Sequence, residues 1–223
     1  MITVHHLNNS RSQRVLWLLE ELGVEYDIRR YQRDAKTMLA PPELRQVHPL
    51  GKSPVITDGD LTIAESGAIV EYLVERFGNG RLIPSAGSRE KIRYTYWLHF
   101  AEGSAQPFLL LKLIFGRIAH APMPFFAKPV AKAISRNVIE SFVQPNIDRQ
   151  LDYMESELAA RPWFAGSEFT AADVQMSFPL EAAAARGGLD VRWPNLMGFL
   201  NRIHQRPAYK RAIERGGEYQ LMK

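Results

Sequence analysis

The chain of 223 residues contains no cysteine. It therefore cannot form a disulfide bond, and no side chain of its own can supply a thiolate as nucleophile or metal ligand. The histidines do not have the spacing of metal ligands either. They are His5, His6, His48, His99, His120 and His204. The sequence predicts neither a metal site nor thiol chemistry on the protein itself.

Long hydrophobic runs are also missing. No stretch approaches the roughly 18 consecutive apolar residues that a membrane helix needs. The first residues, MITVHHLNNSR, lack both the basic region and the long apolar region of a secretory leader. We therefore expect a cytoplasmic protein with no membrane partner.

A large excess of one charge is absent as well. Lys and Arg number 28 and Asp and Glu 24, which gives a net charge of +4 spread along the chain. That balance suits small anionic ligands and argues only weakly for nucleic acid, so no nucleic-acid partner is expected. The sequence also has no G-x-S-x-G motif and no glycine fingerprint for a dinucleotide, which leaves a serine triad and a nucleotide cofactor without support.

The hydrophobic content of 46% is that of a globular protein, and the length allows two domains. Strand patterns at Ile2-Thr3-Val4 and Tyr26-Asp27-Ile28 flank a helix pattern that ends at Gly23. This β-α-β order favours a parallel strand pair. A β-β-α unit follows it, and the whole order resembles a thioredoxin-like domain.

A break rich in turn-forming residues separates this region from the rest. Gly78-Asn79-Gly80 and then Pro84 to Ser88 end the first pattern, and the apolar positions beyond them recur at helical spacing. The helical patterns include one from Ile92 to Phe115 and another from Ile139 to Leu158. We therefore predict an α/β domain over 1–80, a linker over 81–88 and an all-helical domain over 89–223.

One strong local signal in the helical half is Phe169-Thr170-Ala171-Ala172-Asp173. Thr170 and Asp173 have the spacing of a capping box, and Phe169 stands where a hydrophobic staple begins. This pattern predicts a helix start and needs no catalytic role.

The stretch from His48 to Phe77 predicts an anion-binding unit. Pro54 precedes a short strand, Asp58-Gly59-Asp60 is typical of a turn, and Glu65-Ser66 begins a helix with apolar positions at Ile69, Val70 and Leu73. The first turn of a helix has unpaired N–H groups and a positive dipole end, which favour a ligand carboxylate.

Four motifs occur in order along the chain: NNSRSQRVLWLLEELGVEYD, HPLGKSPVI, AESGAIVEYL and FTAADV. Together, and ahead of a helical half, they resemble the cytosolic glutathione S-transferases over nearly the whole length. The resemblance is greatest to the fungal and bacterial branch with a long insert between the first two helices of the helical domain. It implies a thioredoxin-like N-terminal domain that binds glutathione as co-substrate and an all-helical C-terminal domain that contributes the pocket for a hydrophobic electrophile, in a homodimer.

The resemblance also implies which residues bind glutathione. Pro54 matches the family's cis-proline, and Ser53 before it would pair its main chain with the cysteinyl part. Glu65 and Ser66 match the acidic or amide residue and serine that receive the γ-glutamyl end. Lys52 is a candidate for the glycyl carboxylate, and a solvated loop lysine is an equally good interpretation.

The group that stabilises the glutathione thiolate is left open by the sequence. Counting back from Arg14-Val15 and Gly23, the family's usual catalytic serine position falls on Asn9, which is a departure from the family pattern. The candidates are Asn9, Ser10, Arg11, Ser12 or a backbone amide, with Ser10 preferred. For Ser10 and Ser12, capping of the first helix is an interpretation of about equal weight.

Two functions are therefore weighed. The first is a transferase that conjugates glutathione to hydrophobic electrophiles, in the manner of detoxification enzymes, or uses it to reduce peroxides. The second is a non-catalytic glutathione-binding or protein-interaction module on the same fold, which the departure at Asn9 keeps open. A reaction through a protein thiol is excluded by the lack of cysteine, but disulfide reduction by bound glutathione is not. The aromatic residues of the helical half are expected to be core more often than pocket.

Overall fold

The computed structural model describes residues 1–217, Tyr219 and Leu221. The first part forms a mixed sheet in the strand order β2-β1-β3-β4. Its strands are β1 (Ile2–Leu7), β2 (Tyr26–Tyr31), β3 (Val55–Asp58) and β4 (Leu61–Ala64). β1 and β2 are parallel, as the β-α-β order predicts, and β3 runs antiparallel to both of its neighbours, β1 and β4.

Three helices accompany the sheet: α1 (Ser12–Leu22), α2 (Leu44–Val47) and α3 (Ser66–Phe77). Ile69, Val70 and Leu73 of α3 are fully buried, as their spacing predicts. β4 lies at the sheet edge, and Leu61 at its start is 52% exposed.

The rest of the described chain is helical. It contains α4 (Arg89–Phe100), α5 (Gln106–Ile118), α6 (Lys128–Val138), α7 (Gln144–Ala160), α8 (Ala171–Ala182), α9 (Pro194–His204) and α10 (Pro207–Gly216). The predicted fold class, a thioredoxin-like domain followed by a helical one, is confirmed. None of the described helices is long and apolar enough to span a membrane.

Short π-helical segments interrupt the long helices. Ala101–Ala105 joins α4 to α5, and Ile139–Val143 joins α6 to α7. In both cases a proline, Pro107 or Pro145, follows in the first turn of the next helix. Proline has no N–H to give to the preceding turn, so a widened turn lets the chain continue in one direction without that hydrogen bond.

The predicted capping box at the start of α8 is present. The Asp173 carboxylate is fully buried and accepts hydrogen bonds from the N–H groups of Thr170 at 2.8 Å and Phe164 at 2.9 Å. Phe169 packs against the rings of Trp17 and Trp163, so it joins α1 to the helical domain.

Several aromatic residues of the helical half lie outside the core. Tyr96 is 45% exposed and Phe126 is 69% exposed. The interior side of α4 is formed instead by Tyr94, Trp97 and Leu98. Helical spacing alone did not distinguish these neighbouring faces.

Candidate functional site

The first turn of α1 lies against the loop that precedes β3. Ser10 Oγ is 3.4 Å from Ser53 Oγ, and Ser53 donates a hydrogen bond to the His5 carbonyl at 2.9 Å. The Ser53–Pro54 peptide bond is cis, as the resemblance implies. Residues that are 43 positions apart in the chain thus form one surface at the carboxyl end of β1.

The start of α3 supplies the second part of the site. Ser66 is 3% exposed, and among the described residues its Oγ has no hydrogen-bond partner. A buried hydroxyl without a partner is costly, so native proteins rarely leave one. Its position in the first helical turn, where N–H groups are also unpaired, suits a carboxylate from a ligand.

Glu65, directly before Ser66, has an unusual backbone with φ of 69° and ψ of 124°. Positive φ is uncommon for a residue with a Cβ and tends to occur at functional sites. Glu65 and Lys52 are both exposed. Both side chains are therefore accessible to a ligand, and the solvated interpretation of Lys52 still stands beside the binding one.

The four candidate residues lie at the start of α1, at positions 9–12, which we call the mouth of α1. Their surroundings differ. Asn9 is partly exposed and adopts φ of 50°, a left-handed conformation that asparagine tolerates. Ser10 is 3% exposed, and Ser12 is fully buried behind it. Arg11 extends away to Glu102 of the helical domain at 2.6 Å. Of the four, Ser10 is the one whose side chain contacts Ser53.

Ser10 and Ser12 belong to a continuous set of hydrogen bonds. Ser10 Oγ lies 2.7 Å from Ser12 Oγ, and Ser12 Oγ lies 2.8 Å from His6 Nδ1. Ser10 Oγ also accepts from the Ser12 N–H at 3.2 Å, but the N-cap residue of α1 is Arg11, whose side chain makes no capping hydrogen bond. Burial, then the positive charge of Arg30, lowers the pKa of His6 to about 4, although the Gly216 carbonyl opposes this shift. His6 is therefore neutral at pH 7.

Two arginines near this site share one carboxylate. Arg14 is buried in α1 and forms an ion pair with Glu102, which also binds Arg11. Burial by itself would raise the pKa of Glu102, but Arg14 and Arg11 outweigh it and hold that pKa below its usual value. Arg14 also donates to the Gln175 carbonyl in α8. The first turn of α1 is thereby fixed to the helical domain.

A cavity of about 180 Å³ opens beside His6. Asn9, Arg30 and Gly216 also line it. A larger cavity of about 510 Å³ lies far along the helical domain, at Asp152, Glu155 and Trp193. There Asp152 accepts from the Trp193 indole at 2.8 Å and Glu155 accepts from N–H groups that begin α9, so those polar groups serve the fold.

Comparison with known proteins agrees with this geometry. Residues 1–75 match the family described as glutathione S-transferase, N-terminal domain, and residues 130–202 match glutathione S-transferase, C-terminal domain. Glutathione S-transferase 3 of Schizosaccharomyces pombe is 35% identical over 216 residues, covering 96% of this chain and 88% of the relative. The chain belongs to the glutathione S-transferase family.

Other relatives of this transferase extend over similar lengths. Glutathione S-transferase 1 of Saccharomyces cerevisiae is 31% identical over 223 residues, covering 96% of this chain and 95% of the relative. The crystal structure of a glutathione S-transferase from Actinobacillus pleuropneumoniae is 30% identical, with a TM-score of 0.81, and covers 100% of this chain and 96% of its own. The family recognised from the four sequence motifs is therefore confirmed.

Two residues that contact the candidate site residues were not predicted from the sequence. The alternation of β1 indicates only that His6 faces the side opposite His5, and nothing in the pattern links it to Ser12. Glu102 lies within a stretch that the sequence predicts to be one continuous helix. No local sequence pattern therefore predicts its contact with Arg11 and Arg14 of the other domain. Both contacts depend on the packing of α1 against its neighbours.

Proposed function

We propose that this glutathione S-transferase binds glutathione along Lys52 to Pro54 and Glu65-Ser66 and activates its thiol at Ser10. The activated thiolate then attacks a hydrophobic electrophile or reduces a peroxide. The observation that carries this proposal is the buried Ser66 hydroxyl at the start of α3, which has no partner among the described residues and lies at the same end of the sheet as the Ser10–Ser53 contact.

The γ-glutamyl end fits the start of α3. Its α-carboxylate would accept from the Ser66 hydroxyl and from the unpaired N–H groups of the first turn. The exposed Glu65 carboxylate would pair with the ammonium group. The positive φ of Glu65 supports this assignment, because it holds the residue in a conformation that the fold alone has little reason to select.

The cysteinyl part fits the loop that ends at Pro54. Main-chain N–H and C=O groups of Ser53 would pair with it as an added strand does, which explains why a serine serves at this position. Lys52, exposed next to it, would meet the glycyl carboxylate as a point charge. Since Ser10 Oγ is only 3.4 Å from Ser53 Oγ, this placement brings the sulfur to the mouth of α1.

Activation requires that the site favour the thiolate. A free thiol has a pKa near ~8.5, and each unit by which a site lowers it corresponds to about 1.4 kcal/mol. A hydroxyl that donates to the sulfur anion, at the positive end of a helix, supplies such stabilisation. We assign this role to Ser10, with the Asn9 side chain as the nearest second donor and Arg11 and Ser12 as supports.

Replacing Ser66 by alanine tests the proposal. Losing a hydrogen bond to a charged group costs about 1.5–3 kcal/mol, so the glutathione Kd should rise about 10- to 150-fold in calorimetric titrations. Ser177→Ala is the matched control, because that serine is also buried but donates to the Val174 carbonyl at 2.8 Å in α8. An unchanged Kd in Ser66→Ala contradicts the binding site. Thiolate absorbance in the same samples separates a catalyst from a mere binding module.

The wider assignments rest on the family. We propose a homodimer, detoxification of electrophiles as the role, and a cytoplasmic location, where glutathione is kept reduced. We also propose the division into 1–80, 81–88 and 89–223. The exposed Ile92 and Tyr96 on one face of α4 support the dimer, since large apolar side chains at this spacing form a ready contact surface.

A further inference from the structure

The hydrogen bonds behind Ser10 form one chain, and the tautomer of His6 sets its direction. Ser10 Oγ lies 2.7 Å from Ser12 Oγ, and Ser12 Oγ lies 2.8 Å from His6 Nδ1. A carbonyl can only accept, so the tautomer that donates from Nε2 to the Gly216 carbonyl leaves Nδ1 as the acceptor. In that tautomer Ser12 donates to His6, and Ser10 donates to Ser12.

The competing contacts agree with this direction. Ser53 has already given its hydrogen to the His5 carbonyl at 2.9 Å, and its distance to Ser10 is a longer 3.4 Å. The Ser12 contact with the Leu7 carbonyl is also longer, at 3.4 Å, than its bond to His6. With His6 in this tautomer, the Ser10 hydrogen of the free protein points inward, and the oxygen offers a lone pair to whatever lies at the mouth of α1.

An inward-pointing hydroxyl cannot donate to a thiolate, but it can accept a proton from a thiol. We propose that His6 receives, through Ser12 and Ser10, the proton that the glutathione thiol loses in this site. The relay rests on the assignment of Ser10 as the sulfur-facing group. In this relay His6 is the proton acceptor, and it acts on the thiol through two serines.

The transfer balances bond by bond. The S–H bond breaks and a new O–H bond forms on Ser10, while the original Ser10 hydrogen moves to Ser12. The original Ser12 hydrogen moves to His6 Nδ1, and the ring becomes an imidazolium. Afterwards the direction of the chain is reversed, so Ser10 donates to the thiolate and Ser12 donates to Ser10. Release of the thiol proton and stabilisation of the anion are thus one event.

The surroundings of His6 let the proton leave. Its ring lines the cavity of about 180 Å³, which is large enough to admit water. The charged group that faces it is Arg30 of β2, Tyr31 of β2 lines the same cavity, and α10 presents only the Gly216 carbonyl. The positive Arg30 and the low pKa of the ring both favour rapid passage of the proton to solvent over its retention.

Replacing His6 by asparagine tests the relay, because the Asn carbonyl keeps an acceptor for Ser12 but cannot take up a proton. In stopped-flow mixing with glutathione and a pH indicator, we expect proton release and thiolate absorbance to slow together about 100-fold, at the low end of general acid–base effects. Glutathione affinity should change less than about twofold. Imidazole added to the His6→Ala variant should restore the rate, since the adjoining cavity admits it.

His5→Asn is the matched control, because His5 is the neighbouring residue, is equally buried at 5% exposure and bonds Tyr31 at 2.9 Å. It should release the proton at the rate of the unmodified protein. Nitrogen NMR of the free protein should show His6 Nδ1 as the unprotonated nitrogen; the opposite tautomer overturns the relay even if a variant fails to fold.

Ser10→Ala separates the relay from the site assignment. If Ser10→Ala leaves thiolate formation intact, Ser10 is not the sulfur-facing group and the proposed function fails at that residue, and the relay with it. If Ser10→Ala slows it while His6→Asn and Ser12→Ala do not, the assignment of Ser10 stands and the relay is wrong.

Discussion

At the scale of single residues, a histidine held neutral inside a folded protein links stability to pH. The pKa of His6 is about 4 in the folded state against 6.5 for an unperturbed imidazole. Between these values the unfolded state binds more protons than the folded one. The free energy of unfolding should therefore fall as the pH drops from about 6.5 to about 4, by about 3 kcal/mol at most from this residue.

The measurement is urea unfolding at about pH 7 and about pH 4 for the unmodified protein and for His6→Asn. Asparagine does not titrate, so the variant should lose less stability over this interval. Equal losses in the two proteins would mean that His6 titrates in the folded state as it does in the unfolded chain.

Individual site residues were predictable to different degrees. Ser66 and Pro54 follow from motifs that place them at a helix start and a strand start, where local chemistry restricts the choice. The partners of Ser12 did not follow, because a contact between β1 and α1 is set by how the helix crosses the strand. His6 could be placed on a strand face from the sequence, but its hydrogen bond could not.

At the scale of elements, the end of α1 is determined by one glycine. Gly23 adopts φ of 70°, and its N–H closes the helix by bonding the Leu19 and Glu20 carbonyls. An added Cβ at Gly23 would meet no atom within 4 Å, so only backbone strain opposes it. Gly23→Ala should reduce the free energy of unfolding by about 1 kcal/mol.

Gly116→Ala is the matched control with the opposite expected sign. Gly116 lies inside α5, and a Cβ there also meets no atom within 4 Å. Alanine should stabilise this helix by about 0.5–1 kcal/mol. The same denaturation series measures both variants, and a stabilising Gly23→Ala would show that α1 can end without the left-handed residue.

Strands and helices were more predictable from the sequence than the way in which they join. Residue periodicity predicted both long helices of the second half, and turn residues predicted the ends of α1 and α3. The π segments at Ala101–Ala105 and Ile139–Val143 were not predicted, because a one-residue widening barely alters helical periodicity. The exposed face of α4 was not predicted either, since Tyr96 and Trp97 are adjacent and equally aromatic.

At the scale of the whole molecule, the proposed dimer can be tested through α4. Ile92 is 72% exposed and Tyr96, one turn later, 45%. If this face is covered by a second copy, Ile92→Glu should shift the mass measured by light scattering toward the monomer at micromolar concentration. Ile92→Glu should change the free energy of unfolding of the single chain by no more than about 0.5 kcal/mol, because the Ile92 side chain is exposed in the single chain.

Val191→Glu is the control, because Val191 is 86% exposed in the loop before α9, away from α4. It should leave the mass unchanged. An unmodified protein that is monomeric at every concentration would refute the dimer, and a dimer insensitive to Ile92→Glu would place the interface elsewhere.

The ion pairs of Glu102 limit which helical domains can be combined with this N-terminal domain in a chimaera. Arg11 and Arg14 flank Ser12 on α1, and their shared carboxylate comes from the first long helix of the other domain. A chimaera that takes its helical domain from a relative without an acid at this place would leave Arg14 charged, buried and unmatched. Such a graft would lose several kcal/mol. Exchange of helical domains between relatives, as a route to new substrates, is thus restricted to donors that keep this acid.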